Sequence, residues 1–174
     1  MTRRVFGITG WKNSGKTALT AALVTELGRR GHLVSTVKHA HHAFDIDRPE
    51  TDSFRHREAG AMEVAIVSGR RWALMHELRD EGEPSLADVL DKLAPCDLVL
   101  VEGYKHDAHP KLETRRLEAR SREPLTGTSP NIVAIAADHP VAGETVPVFG
   151  LGDITAIADF VETTTGLAAR GAKA

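Results

Sequence analysis

The strongest chemical signal in this sequence is a glycine-rich segment near its start. Residues 10–17 read Gly-Trp-Lys-Asn-Ser-Gly-Lys-Thr and match the pattern G-x-x-x-x-G-K-[ST] in full. Such a loop wraps phosphates with inward-pointing N–H groups, and the following helix aims its positive end at them. Lys16 would reach the β- and γ-phosphates, and the Thr17 hydroxyl would bind Mg²⁺, so the segment predicts a nucleoside polyphosphate. The predicted contact residues are Gly10, Trp11, Lys12, Asn13, Ser14, Gly15, Lys16, Thr17 and Ala18.

A carboxylate that completes a magnesium site should follow a buried strand next to the first one. Residues 98–101 read Leu-Val-Leu-Val, and Glu102 follows them. Asp97 is the alternative, but it begins this strand and would lie at the opposite end of the sheet. Glu102 is therefore the predicted acid of the metal site, with Thr17 as the second metal-binding residue. Lys16 and Glu102 are the catalytic candidates.

A histidine-rich segment follows the second predicted strand. His39 and His41 are two residues apart, with Asp45 and Asp47 downstream. Loops after the strands of a doubly wound sheet lie on the ligand side, so we expect this segment to contact substrate or phosphate. A transition-metal site and an exposed turn without a role are the alternatives. The arginines within residues 55–57 fit either a clamp for an anionic substrate or solvated charges.

An aspartate at the end of another apolar run is a candidate for base recognition. Asp138 follows the run at 132–136. A carboxylate can accept hydrogen bonds from both N1–H and the exocyclic amine of guanine, a donor pair that adenine lacks. Asp138 is therefore predicted to select guanine, with a loop or helix-capping role as the alternative. The Asn/Thr-Lys-x-Asp pattern of common GTPases does not occur in the sequence.

The elements that position these residues alternate between short apolar runs and amphipathic segments. This alternation predicts an α/β fold with a mainly parallel sheet and helices on both faces. The polar stretch 105–128 is expected to be an insertion or mobile loop, in which 111–116 is a candidate strand. Helices are predicted over 17–30, 53–61, 86–93 and 154–164. Further strands are predicted over 5–9, 33–37, 64–67, 71–76, 97–102, 132–136 and 146–149.

Length and composition limit the classes of protein that the chain can belong to. The 174 residues, with a formal net charge of −2, favour one globular domain over residues 1–165, with a flexible tail over 166–174. The charge argues against a strongly basic nucleic-acid binder. One cysteine excludes an intramolecular disulfide, and no apolar run is long enough to span a membrane. The N-terminal residues lack a secretory pattern, so we expect a reducing, cytoplasmic compartment.

Several blocks together resemble the molybdopterin-guanine dinucleotide biosynthesis protein B (MobB) family. They run in family order over most of the chain and are much more specific than the phosphate-binding loop alone. The blocks are residues 10–17, 37–42 with Asp45 and Asp47, 52–53 leading to 58–61, 71–75, 98–106 and 134–138.

The resemblance implies a P-loop NTPase-like fold of the SIMIBI type, the class of the ArsA- and MinD-like ATPases. It further implies a GTP- and Mg²⁺-binding homodimer with at most weak GTPase activity, which assists the MobA-type guanylyltransferase. Molybdopterin is a further candidate ligand. By resemblance Lys16 and Thr17 are phosphate and Mg²⁺ residues, Glu102 is the Walker-B acid and Asp138 contacts guanine. The related ATPases carry a signature lysine after the first loop glycine, where this chain has Trp11.

Two other functions are compatible with the same loop. A small-molecule kinase or ATP-dependent ligase would use residues 105–128 as a lid, with Arg115, Arg116 and Arg120 stabilising the transferring phosphoryl group. A metallochaperone-type GTPase would carry a metal on the histidines of residues 39–42. Phosphoryl transfer to a small acceptor would favour the first alternative, and stoichiometric transition-metal binding would favour the second.

Overall fold

The chain divides into two units, one formed by residues 1–39 and 89–174 and one by residues 40–88. The computed structural model describes residues 3–40 and 44–168. The elements in chain order are β1 Val5–Thr9, α1 Lys16–Arg29, β2 Val34–Lys38, α2 Asp52–Glu58, β3 Glu63–Val67, β4 Trp72–His76, α3 Leu86–Lys92, β5 Leu98–Glu102, β6 Lys111–Arg115, β7 Ile132–Ala137, β8 Val148–Gly150 and α4 Ile154–Thr165.

A six-stranded sheet of order β2-β5-β1-β6-β7-β8 forms the first unit, and all of its neighbouring strands run parallel. The mainly parallel α/β fold predicted from the sequence is thus confirmed. Because the strands are parallel, their carboxyl ends meet at one edge of the sheet. The phosphate-binding loop after β1 and the residues that follow β2, β5, β6 and β7 therefore share that edge.

Helices α1 and α4 pack on one face of this sheet. Alternate residues of the central strands point at them, and Leu19, Leu23 and Leu27 supply the apolar stripe of α1. Their i, i+4 spacing places these three side chains on one side of the helix. The fully enclosed members of the cluster are Phe6, Ile8, Leu23, Leu27, Leu98, Leu100, Leu112, Ala134, Ala136, Ile157, Ala158 and Val161.

The polar stretch 105–128 departs from the expectation of an insertion or mobile loop, because β6 within it is a central strand. Lys111 and Glu113 are both fully buried there, and each is compensated. The ammonium of Lys111 donates to two backbone carbonyls, and the carboxylate of Glu113 accepts from the Leu125 N–H at 3.0 Å and from Arg115 at 2.7 Å. These charge-assisted hydrogen bonds allow the strand to be buried without an apolar sequence pattern.

The second unit contains α2 and the antiparallel hairpin of β3 and β4. Arg57 of α2 donates to Asp47 at 2.7 Å and to Glu77 at 3.0 Å. In the hairpin, the paired residues Val67 and Trp72 are 76% and 69% exposed. This hairpin therefore presents apolar side chains outward.

The predicted elements agree with the observed ones to within a few residues at each end. Within the described residues, no helix is both long enough and apolar enough to cross a membrane. The single domain over residues 1–165 stays a prediction, as does the flexible tail, most of which lies outside the described residues.

Candidate functional site

The phosphate-binding loop owes its shape to three residues with left-handed backbone conformations. Gly10, Asn13 and Gly15 have φ values of 147°, 65° and 94°. A Cβ on Gly10 would lie 2.5 Å from the hydroxyl oxygens of Ser14 and Thr114, so only glycine fits at this position. The loop leads directly into α1, whose N-cap is Gly15, and this arrangement forms an anion-binding concavity.

A chain of hydroxyl groups ties the loop to the neighbouring strand. The hydroxyl of Thr114 on β6 donates to the Thr9 carbonyl at 3.1 Å and lies 2.7 Å from the Ser14 hydroxyl. Since Thr114 uses its single proton on Thr9, Ser14 is the donor in the second contact. Sequence reasoning missed Thr114, and the only available signal was a hydroxyl residue on a strand that would flank the loop.

Lys16 folds back over its own loop. Its ammonium donates to the carbonyls of Gly10 at 3.0 Å and Trp11 at 2.8 Å. Burial lowers the pKa of Lys16, nearby Glu102 opposes that change, and the positive charges of Lys105 and Lys38 add to the lowering. The Lys16 side chain is therefore held at the loop by two neutral carbonyl acceptors, which a phosphate group can replace.

Glu102 lies beside the first turn of α1. The hydroxyl of Thr17 donates to its two carboxylate oxygens at 3.0 and 3.1 Å, and the ammonium of Lys38 lies 3.4 Å from one of them. Only 10% of the Glu102 side chain is exposed. A hydroxyl and a carboxylate are hard oxygen ligands of the kind that Mg²⁺ prefers, so the two residues singled out for a metal are brought together.

The turn after β5 brings the end of β2 against it. Gly103 has φ 99°, and a Cβ there would lie 2.9 Å from Cβ of His39. The N–H of His39 donates to the Glu102 carbonyl at 2.9 Å, and its ring lies 4.8 Å from that of Tyr104. His39 is thus placed at the ligand edge of the sheet, whereas His41 lies outside the described residues. Among the described residues, no group of three or more His, Cys, Asp or Glu residues could hold a metal ion.

An open cleft of about 380 Å³ lies along residues 13–18, with Arg116 and Glu118 on its other side. Arg116 contacts Glu118 at 3.3 Å and Asp138 at 3.4 Å. The cleft is therefore lined by residues of the phosphate-binding loop and by an arginine and a glutamate that follow β6.

Asp138 follows β7, on the opposite side of β1 from Glu102. Its carboxylate accepts from the Leu117 N–H at 3.1 Å and contacts the ring of His139 at 2.9 Å and Arg116 at 3.4 Å. The bond from His139, assisted by Leu117 and Arg116, lowers the pKa of Asp138. The carboxylate is therefore ionised at neutral pH, as an acceptor for a guanine edge must be.

Other candidates have structural partners. Arg115 pairs with Glu113 and Glu144 at 2.7 Å each. Because both contacts occupy its guanidinium, Arg115 is not placed to stabilise a transferring phosphoryl group, as the kinase alternative requires. Asp97 accepts the N–H of Leu33 at 2.8 Å, at the end of β5 away from the loop, as expected from its position. The backbone carbonyl of Lys12 accepts from the Arg120 N–H at 2.9 Å, which ties the loop to the segment after β6.

Comparisons with known proteins identify the family and support the fold. A family model described as molybdopterin guanine dinucleotide synthesis protein B matches residues 5–138. The chain is 36% identical over 153 residues to the molybdopterin-guanine dinucleotide biosynthesis adapter protein of Escherichia coli, with 87% of each chain covered. It is 36% identical over 159 residues to the adapter protein of the same name from Haemophilus influenzae, covering 91% of this chain and 87% of the relative. The crystal structure of a MobB homologue from Bacillus stearothermophilus superimposes with a TM-score of 0.70 at 32% identity, over 92% of this chain and 99% of the other.

Proposed function

The chain belongs to the molybdopterin guanine dinucleotide synthesis protein B family, and from this premise we propose that it binds GTP with Mg²⁺ as an adapter. It would serve the MobA-type guanylyltransferase that joins GMP to molybdopterin, in the cytoplasm. The observation that carries the proposal is the contact of Thr17 with Glu102 beside the phosphate-binding loop. Asp138 lies on the other side of β1 from Glu102, where the base of the nucleotide would bind.

Polyphosphate binding follows from what the loop offers. The backbone N–H groups of residues 13–18 and the positive end of α1 attract phosphate oxygens. Lys16 exchanges two carbonyl acceptors for phosphate oxygens, which are charged and therefore stronger partners. Thr17 and Glu102 are the residues that would hold Mg²⁺, and the ion neutralises charge on the phosphates when bound.

Guanine selection is assigned to Asp138. Strand order places it two strands from β1, whereas Glu102 ends the strand on the other side of β1. A nucleotide with its terminal phosphates beside Glu102 thus extends its base toward Asp138. To accept the guanine N1–H and amine, the carboxylate exchanges its contacts with Leu117 and His139 for the base edge.

Slow hydrolysis is part of the proposal. Glu102 is committed to Thr17 and Lys38, and therefore does not serve as a base for an attacking water. Arg116 lines the cleft beside the loop, but its guanidinium is already paired with Glu118 and Asp138. An adapter that retains GTP fits this arrangement better than a rapid GTPase does. Binding of molybdopterin by this chain stays a prediction.

A homodimer is proposed as the working form, with the second unit as the contact between copies. The hairpin of β3 and β4 is a two-stranded sheet, and such a sheet is marginally stable without further packing. Its exposed residues Val67, Trp72 and Leu74 are large and apolar, and a second copy of the chain would remove them from water.

A reconstituted assay tests the proposed function. The guanylyltransferase, molybdopterin and MgGTP are combined with and without this chain, and formation of the guanine dinucleotide is measured. We expect the chain to raise the yield or rate, Lys16→Ala to abolish that gain, and the exposed control Lys92→Ala to retain it. No stimulation by the unaltered chain would contradict the adapter role. Phosphoryl transfer from ATP to a small acceptor would favour the kinase alternative.

A further inference from the structure

Lys105 is held at the loop by a turn that the proposed function does not use. After β5 the backbone takes left-handed conformations at Gly103, with φ 99°, and at Tyr104, with φ 46°. The hydroxyl of Ser129, itself buried, donates to the carbonyl of Lys105 and anchors the turn. A non-glycine residue at positive φ is uncommon and is sustained by surrounding contacts. The position of Lys105 is therefore fixed by its backbone.

The side chain of Lys105 lies on the ring of Trp11. Its ammonium is 4.4 Å from the ring centroid, and the indole N–H donates to the Glu123 carbonyl at 2.7 Å, which fixes the ring. The backbone carbonyl of the same tryptophan accepts from the ammonium of Lys16 at 2.8 Å. Residue 11 thus carries one cation on its ring and another on its carbonyl.

Lys105 and Trp11 are both half-buried, and a cation–π contact between such residues stabilises a protein only modestly, so a packing role alone would account for it. The surrounding charges indicate that Lys105 also has a role in binding a ligand. Lys38 lies 3.4 Å from Glu102, and the positive charge of Lys105 acts on Lys16. Lys16 therefore experiences the positive charges of both Lys38 and Lys105, and only Glu102 opposes them. Such an excess of like charge is unfavourable unless an anion joins it.

We propose that Lys105 binds the terminal phosphate of the nucleoside triphosphate, with the ring of Trp11 as its support. The assignment rests on the proposed nucleotide binding and extends it to a further residue. Lys105 follows the strand that ends in Glu102, and its ammonium reaches Trp11, the loop residue whose carbonyl also holds Lys16. The ammonium donates to phosphate oxygens while its stem stays against the indole.

Paired titrations with GTP and GDP, each with Mg²⁺, test the assignment on the full-length protein. Lys105→Ala should weaken GTP binding about tenfold to hundredfold and change GDP binding less than about twofold, because only GTP carries the terminal phosphate. Lys105→Arg should restore much of the loss. Lys92→Ala is the control for charge removal elsewhere, and a thermal melt of each variant confirms folding.

Substitutions of Trp11 distinguish the contact of its ring with Lys105 from a general disruption of the phosphate-binding loop. Trp11→Phe keeps an aromatic face for the ammonium, whereas Trp11→Leu removes it; the indole N–H is lost in both. Only Trp11→Leu should reproduce the GTP-specific loss, and it should add little to Lys105→Ala. An unchanged GTP-to-GDP affinity ratio in Lys105→Ala, including equal losses for both nucleotides, would overturn the assignment but not the proposed binding of GTP by the unaltered chain. Absence of GTP binding by the unaltered chain would overturn the proposed function itself, and this assignment with it.

Discussion

The hydroxyl of Thr17 lies 3.0 and 3.1 Å from the two carboxylate oxygens of Glu102. Thr17 stands in the first turn of α1, and Glu102 is the last residue of β5. The parallel register of β1 with β5, which pairs Ile8 with Glu102, sets their approach. Two residues far apart in the sequence thus form one oxygen-rich site beside the phosphate-binding loop.

Glu102→Gln should remove the benefit of Mg²⁺ from nucleotide binding. The amide keeps the size of the side chain but lacks the negative charge that attracts the ion. We expect affinity for MgGTP to fall about tenfold to hundredfold, with little change in binding without the metal. Titration calorimetry with and without Mg²⁺ measures this. Asp97→Asn, at the other end of the same strand, is the control; equal Mg²⁺ dependence in both variants would remove Glu102 from the metal site.

Asp138→Asn should reduce the preference for GTP over ATP. An asparagine presents one acceptor oxygen where the carboxylate presents two, so it loses half of the predicted pairing with guanine. Competition of GTP and ATP for a fluorescent nucleotide measures the ratio, which should fall about tenfold or more. The variant Asp159→Asn on α4 should keep the ratio. Retained selectivity in Asp138→Asn would show that another group reads the base.

Trp72→Glu should convert the proposed dimer into monomers. The substitution places a charge where a second copy would cover an apolar ring that is 69% exposed in the single chain. Light scattering after size-exclusion chromatography reports the mass. Leu117→Glu, at an exposed apolar residue of the first unit, is the matched control. A dimer that survives Trp72→Glu would place the contact between copies elsewhere.

The buried ring of His109 should make the free energy of unfolding fall as the pH is lowered into the mildly acidic range. Burial lowers its pKa from 6.5 to about 4, with the charge of Lys111 assisting, and its Nε2 is buried without a hydrogen-bond partner among the described residues. Because the folded state holds this ring neutral, the unfolded state binds the extra proton as the pH falls from about 6.5 to about 4, and stability is lost over that interval. After allowance for solvent screening, the contribution is about 1–2 kcal/mol.

Urea unfolding at pH 7.5 and pH 5 measures the effect in the unaltered chain and in His109→Gln. Because glutamine does not titrate, the His109→Gln variant should lose less stability between pH 7.5 and pH 5 than the unaltered chain, by about 1–2 kcal/mol. An equal loss in both proteins would mean that other groups carry the pH dependence.

Patterns confined to a short stretch of sequence predicted most of the fold. The amphipathic pattern over residues 17–30 predicted α1, and the apolar run before Glu102 predicted a buried strand. The burial of the strand at 111–115 was harder to predict. Lys111 and Glu113 are buried because other residues compensate their charges, and an apolar periodicity in the sequence does not show such contacts. Its central place in the sheet depends on those compensated charges.

The candidate site was predictable where a motif fixes the chemistry and less so where contacts cross between strands. Residues 10–17 and Glu102 follow from pattern and strand order. The partners Thr114 and Lys38 became visible only from the register of β6 and β2 with their neighbours. The sequence likewise does not separate Arg115, which pairs with Glu113 and Glu144, from Arg116 at the cleft.

Calorimetric titration of the pure protein with GTP, and separately with ATP, tests the central claim most directly. Each nucleotide is added with and without Mg²⁺, and Lys16→Ala serves as the loop-deficient control. The account predicts Mg²⁺-dependent binding that favours GTP by at least about tenfold and is lost in Lys16→Ala. Equal or stronger binding of ATP, or GTP affinity that is unchanged in Lys16→Ala, would contradict it.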